Sequence, residues 1–340
     1  MPKRLVDNTS LAKLRRAMAA GVLCAALVGA SGCTELMLAS YRDDEFLDDY
    51  QYVLGEQYLE VNGLRVCYQE YGQGDTVVIL PGLATSIDFW QLTIPELARS
   101  YHVIAIDPPG FGKSDKPRLA YDLTWVCDQV VAFLDAKQIK HASFIGGSLG
   151  GQFAMLIALN HPERIDRMVL MGSSGAWPEP GFLLAGAFKT LWSDAVVVDH
   201  MRRTWTQTFP KLFLHHGPVV QRLFRYQMAL RANLRAYWPE GRASSRAMRS
   251  IFFHSCLDWL ADIHQPALLI WGAHDEIHPR EEGAALEAGL PDARLVVVAD
   301  AGHEVMLDQP ETFNHLVLSF LQGGPAAIAD VMPPRDERSK

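Results

Sequence analysis

The sequence predicts an α/β fold, a mostly parallel sheet flanked by helices and interrupted by a helical insertion. Two observations carry this. Short apolar runs alternate with helix-like stretches before residue 174 and again after residue 262, and no buried strand can be read between those points. The chain has 340 residues, 49% of them hydrophobic, which is enough to bury a substantial core in one fold unit with an insertion.

The elements follow in chain order. Lys3, Arg4, Lys13, Arg15 and Arg16 precede an uncharged stretch from Ala17 to Thr34. A basic start, a short apolar run and small residues at its end predict a signal peptide over 1–32. Ala30-Ser31-Gly32-Cys33 resembles a bacterial lipobox, although Ala30 stands where leucine is usual. That resemblance implies lipidation of Cys33 and a place in the bacterial cell envelope. Thr34 is not the aspartate associated with inner-membrane retention, so the periplasmic face of the outer membrane is preferred. An uncut N-terminal anchor is the alternative, since the uncharged stretch is borderline for a membrane span.

Residues 33–55 form an acidic lead-in with Asp43, Asp44, Glu45, Asp48 and Asp49, a tether or a short surface helix. The first part of the core is expected over 56–173. QYLEVNGLRVCYQEYG reads as a hairpin turning at Asn62-Gly63. TVVIL, YHVIAID, the run ending at Gly146 and RMVLMGS are short enough to be strands buried on both faces. Helices are expected between them, around Phe89 to Ala98, Thr124 to Leu134 and Gly150 to Leu159. The insertion covers 174–262 and carries Trp177, Trp192, Trp205, Trp238 and Trp259. It holds 11 basic against 6 acidic residues, a bias that either steers anions or headgroups or neutralises an acidic body. The rhythm resumes over 263–323 with PALLIWG, a helix from Arg280, ARLVVV and a helix from Glu311 to Leu321. Residues 324–340 read as a disordered tail.

Three residues at strand ends carry chemistry. Ser148 follows an apolar strand in the form Gly146-x-Ser148-x-Gly150 and precedes a helix. A sharp strand–turn–helix bend crowds the positions two before and two after the serine, which glycine tolerates. A hydroxyl needs a base to take its proton. His303 lies just beyond ARLVVV, and Asp275 lies beyond PALLIWG with Glu276 as its rival. Residues past the carboxyl ends of a parallel sheet share one crevice. The order Ser, Asp, His, each at its own strand end, is the decisive pattern.

Here the chain resembles the α/β-hydrolase superfamily over roughly Gln57 to Gly323, in its serine-nucleophile form with an inserted cap. The resemblance implies Ser148 as nucleophile, Asp275 as acid and His303 as base. It also implies an oxyanion hole from the backbone amides of Leu83 and Leu149, although Pro81-Gly82 replaces the family's His-Gly pair. The loop Asp107 to Pro117 matches a family loop and is read as structural. The expected activity is hydrolysis of a carboxylic ester. A serine nucleophile argues against the dehalogenases and epoxide hydrolases of the superfamily, which use aspartate. The meta-cleavage C–C hydrolases are the alternative; they typically carry tryptophan soon after the catalytic histidine, where this chain reads Glu304-Val305-Met306. A non-catalytic, membrane-tethered binding protein is the third reading.

Composition narrows the rest. A net charge of -8 offers no nucleic-acid footprint, and the scattered Cys24, Cys33, Cys67, Cys127 and Cys256 form no zinc motif. No cofactor or metal is expected. The expected partners are a small acyl substrate and a membrane, through the N-terminal anchor.

Overall fold

The computed structural model describes residues 32–176, 194–251 and 255–331. Most of the expected signal peptide, with Trp177 and Trp192, lies outside them. The order is α1 (Gly32–Ser40), α2 (Asp44–Asp49), β1 (Gln57–Val61), β2 (Leu64–Tyr71), β3 (Thr76–Leu80), α3 (Ile94–Leu97) and β4 (His102–Ile106). Then come α4 (Leu123–Ala136), β5 (Ala142–Gly147), α5 (Leu149–Asn160), β6 (Ile165–Met171), α6 (Asp194–Thr208), α7 (Pro218–Ala232) and α8 (Leu234–Ile251). β7 (Ala267–Gly272), α9 (Arg280–Gly289), β8 (Ala293–Val298), α10 (Val305–Asp308) and α11 (Pro310–Val331) complete it.

The strands form one sheet in the order β1-β2-β4-β3-β5-β6-β7-β8. The β1–β2 hairpin turns at Asn62-Gly63, both residues at positive φ, and β2 pairs antiparallel with β4. All remaining pairs are parallel. The period of two divides the apolar strands between two cores. Val78, Leu80, Ile104 and Ile106 join one cluster with α4 and α5, whereas Val77, Ile79, Val103 and Ala105 join another with α11. Strand order reverses at β3, which has β4 on one side and β5 on the other, and the crevice of a parallel sheet opens at such a point.

Two departures from expectation have physical causes, one local and one in distant packing. The helix expected around Phe89 to Ala98 is a 3-10 turn at Ile87–Trp90 followed by the short α3. Pro95 has no N–H for a continued ladder, and the Gln91 side chain closes the turn on the Asp88 carbonyl at 2.8 Å. The tail expected to be disordered from 324 is helical as far as Val331, after a break at Gly324 (φ 68). Burial of Ile328 against the second core holds that extension, and 332–340 lie outside the described residues.

The acidic lead-in is a strap on the insertion rather than a free tether. Glu35 in α1 pairs with Arg202 and Arg203, Asp43 with Arg225 at 2.7 Å, and Asp44 accepts from Asn233 at 2.9 Å. Tyr50 stacks on Tyr226 with centroids 3.9 Å apart. The anchoring node is Asp88, which is buried. Its carboxylate accepts from the Tyr50 hydroxyl at 2.5 Å, the Arg222 guanidinium at 2.9 Å and the Val53 amide at 2.9 Å. Much of the insertion's basic excess is therefore neutralised within the fold. Asp88→Ala leaves a buried hydroxyl and an amide without their acceptor, so a loss of about 3 kcal/mol is expected. Urea denaturation measures it, and an unchanged midpoint would show the node to be dispensable.

Candidate active site

The glycines around Ser148 are required by close approach. A Cβ on Gly146 would lie 2.4 Å from the Gly150 backbone, and one on Gly150 would lie 2.1 Å from the Leu80 carbonyl oxygen. β5 and α5 thus meet with no room for side chains at the bend, against the end of β3. Ser148 sits at the apex with φ 51 and ψ -116, a region costly to any L-residue. Its amide donates to the Met171 carbonyl at 2.8 Å, which ties the bend to the end of β6. The side chain is half-buried and opens α5.

Asp275 and His303 come together from the ends of β7 and β8. Nδ1 of His303 lies 2.8 Å from Oδ2 of Asp275, and both side chains are almost fully buried. The other carboxylate oxygen accepts from the amides of Ile277 and His278 at 2.8 and 2.9 Å, so the loop after β7 wraps the acid and fixes its direction. Glu276 points away and pairs with Lys211 at the surface. Burial alone would raise the Asp275 carboxyl, but the His303 ring and the His278 amide hold it below the ordinary carboxylate range. Burial pulls His303 down, but Asp275, helped by Glu304 and Glu282, outweighs it and leaves the imidazole above its ordinary range.

Gly172 follows Met171, whose carbonyl holds Ser148, and is itself packed against the His303–Asp275 pair. A Cβ there would lie 3.0 Å from the His303 ring and 3.3 Å from Asp275. On the other side, a Cβ on Gly82 would lie 3.1 Å from the Ser148 Cβ, so the Pro81-Gly82-Leu83 loop runs directly past the serine. Leu149 is the first residue of α5, where an amide has no partner within its own helix. Ser148 and the Asp275–His303 pair thus both adjoin the end of β6, with the Pro81-Gly82-Leu83 loop and the start of α5 flanking Ser148. Cys33 lies in the first turn of α1, and its side chain is outside the described residues. The 107–117 loop is pinned structurally: the Ser114 hydroxyl accepts from the Cys67 amide at 2.7 Å, and Asp115 accepts from the Arg65 amide at 2.8 Å.

Two acidic neighbours of His303 complete the surroundings: Glu304, which the sequence shows only as the next residue, and Asp308, which it does not single out. Glu304 is buried beside His303, and burial raises its carboxyl to about 7. Asp308, also buried, accepts from the Gly302 amide at 2.7 Å. Only its position five residues past His303 could have flagged it.

A serine on a strained bend and a buried acid–histidine pair, both at the carboxyl ends of a parallel sheet, define a candidate site of hydrolase type. The family model for the alpha/beta hydrolase fold matches residues 75–310, and the chain belongs to that family. Among curated proteins, it is 30% identical over 280 residues to 2-hydroxymuconate semialdehyde hydrolase of Pseudomonas sp. (strain CF600), spanning 78% of this chain and 93% of that protein. Among solved structures, a meta-cleavage product hydrolase from Pseudomonas fluorescens IP01 matches with TM-score 0.64 at 26% identity, covering 78% of this chain and 97% of that one. A membrane phospholipase A, described as a bacterial virulence factor, matches with TM-score 0.67 at 25% identity over 91% of this chain and 96% of that one.

Proposed function

We propose that the protein is a serine hydrolase that cleaves carboxylic esters through an acyl-enzyme. The observation that carries this is the buried Asp275–His303 pair set beside Ser148 on its strained bend. His303 takes the Ser148 proton as Oγ attacks the ester carbonyl. The amides of Leu83 and Leu149 hold the oxyanion. As the ester C–O bond breaks, the alcohol leaves with the proton from His303. Water then gives its proton to His303, attacks the acyl carbon and frees the acid and the serine.

Glu304 supports an ester over a carbon–carbon bond, because it stands next to His303, within the stretch where meta-cleavage hydrolases typically carry tryptophan. The phospholipase neighbour supports it too, since its likeness covers 91% of the chain against 78% for the meta-cleavage hydrolase. The sequence relative favours the second reading, a C–C hydrolase. We place the protein in the cell envelope, held by an acyl chain on Cys33. Among the described residues no helix is long and apolar enough to cross a membrane.

A fluorophosphonate probe is expected to label the wild-type protein and not Ser148→Ala, and p-nitrophenyl esters of varied chain length are expected to be turned over. Labelling without ester turnover, together with cleavage of a 2-hydroxy-6-oxo-dienoate, would replace the ester reading by the C–C one. No labelling would favour a binding protein. Mass analysis of the purified N-terminus tests the anchor, and an intact Met1 would exclude lipidation.

A further inference from the structure

The stretch that leads from α6 to α7, Phe209 to His215, touches the catalytic loop on both sides of His303. The Glu304 amide donates to the Leu212 carbonyl at 3.0 Å. On the other side, Asp308 joins the two chains. Its Oδ2 accepts from the Gly302 amide at 2.7 Å and from the Leu214 amide at 2.9 Å, while Oδ1 accepts from the His215 amide at 2.9 Å. The seam is tight: a Cβ on Gly302 would lie 3.0 Å from the Leu212 carbonyl oxygen and 3.2 Å from Asp308. The same stretch reaches the other wall of the site. Phe209 and Phe213 pack on Phe89, with centroids 6.0 and 6.4 Å apart, just beyond the loop that carries Leu83.

We infer that Asp308 is a positioning residue that makes the geometry of His303 depend on docking of the 209–215 stretch of the cap. One carboxylate satisfies amides of two segments about ninety residues apart in the chain. If the cap stretch lifts, the Leu214 and His215 amides lose their acceptor and the Glu304 amide loses the Leu212 carbonyl. Asp308 keeps its bond to Gly302 but loses the cap partners that fix its carboxylate. The cap is then more than a roof: its seated state is part of what orients the base. The local Gly302–Asp308 bond does not by itself replace this, because on the other side of His303 the Glu304 amide ends on the cap.

The inference rests on the serine-hydrolase reading, and its test is chosen to separate the two. Asp308→Asn keeps the size and one carbonyl acceptor but turns an NH2 toward amide donors on one side of the seam. Asp308→Ala removes both acceptors. Each variant is assayed well below its melting temperature, per active site titrated with fluorophosphonate. A fall of about 10- to 100-fold in kcat and in the phosphonylation rate of Ser148 is expected, with KM changed less than about threefold. In an Asp275→Asn background, where His303 is already misplaced, either change is expected to add less than about threefold. A merely structural Asp308 would lower the melting temperature and leave the rate per titrated site unchanged, and that result overturns the inference. So would a full, additive loss in the Asp275→Asn background. If Asp308→Ala does not fold, Asp308→Asn carries the test. Phosphonylation needs only Ser148 and its base, so this arm reads the inference even if no ester is turned over. Failure to label the wild-type protein is instead the failure of the hydrolase reading.

Discussion

Ser148→Ala is expected to lower kcat for any accepted ester by about 10⁶-fold, which is the whole contribution of the nucleophile and its base acting as a unit. The loss falls on kcat, because no covalent acyl intermediate can form without Oγ. Ser148→Gly is expected to lose the same rate, yet the two variants differ in stability. With φ 51 and ψ -116 the backbone is held where an L-residue costs about 1–3 kcal/mol. It cannot relax, since the Ser148 amide is bonded to Met171 and its carbonyl accepts from the amides of Gly151 and Ser174. Glycine removes the Cβ penalty but adds about 0.5–1 kcal/mol of unfolded-chain entropy. The glycine variant is therefore expected to be about 1 kcal/mol more stable than the alanine variant. Denaturant midpoints measure the difference. Equal midpoints would remove backbone strain from the account of the bend, and retained turnover in Ser148→Ala would remove Ser148 from the chemistry.

The features legible in the sequence are those whose physical cause is local. Asn62-Gly63 announces its hairpin because the two positive φ values are a demand of those two residues alone. The spacing of Gly146 and Gly150 around Ser148 reflects a clash within five residues and against one strand end. Asp275 and His303 are legible as strand-end residues, but their contact joins loops 28 positions apart. The choice of Asp275 over Glu276 depends on which carboxylate the Ile277 and His278 amides wrap. That wrap is local, but the carboxylate it presents is matched to His303 only once the loop after β8 is folded against it. The strap shows the opposite limit. An acidic lead-in and a basic insertion are both plain in composition, whereas the pairing of Asp43 with Arg225 spans 182 positions and exists only in the folded chain. Gly324 and Pro325 read locally as an end, and what continues the helix is the distant core that buries Ile328. Asp308 was hidden for the same reason, as its partners in the cap are 93 and 94 positions away.

Asp275→Asn is expected to lower the plateau of kcat by about 10⁴-fold and to move its acid limb to lower pH. Both effects come from one contact. With Asp275 ionised, Nδ1 of His303 carries the proton, and in the proposed mechanism Nε2 is then the atom that accepts from Ser148. An asparagine that donates to Nδ1 reverses the tautomer, so Nε2 carries the proton and cannot act as base. The imidazolium that forms during attack also loses its counter-charge in a buried site. The direction of the pH shift follows from the same balance. Burial depresses His303, and Asp275 more than offsets it, so the wild-type imidazole holds its proton above the ordinary histidine range. Because only neutral His303 is a base, wild-type activity rises with pH through that elevated value. Without the Asp275 charge burial is opposed only by Glu304 and Glu282, the value falls, and the residual activity reaches its plateau at lower pH. Full pH profiles of kcat and kcat/KM for the two proteins measure both effects. An acid limb that stays in place while the plateau falls would mean that a group other than His303 sets it. Glu304, buried beside the ring and raised to about 7, is the group whose substitution by glutamine would then move the limb.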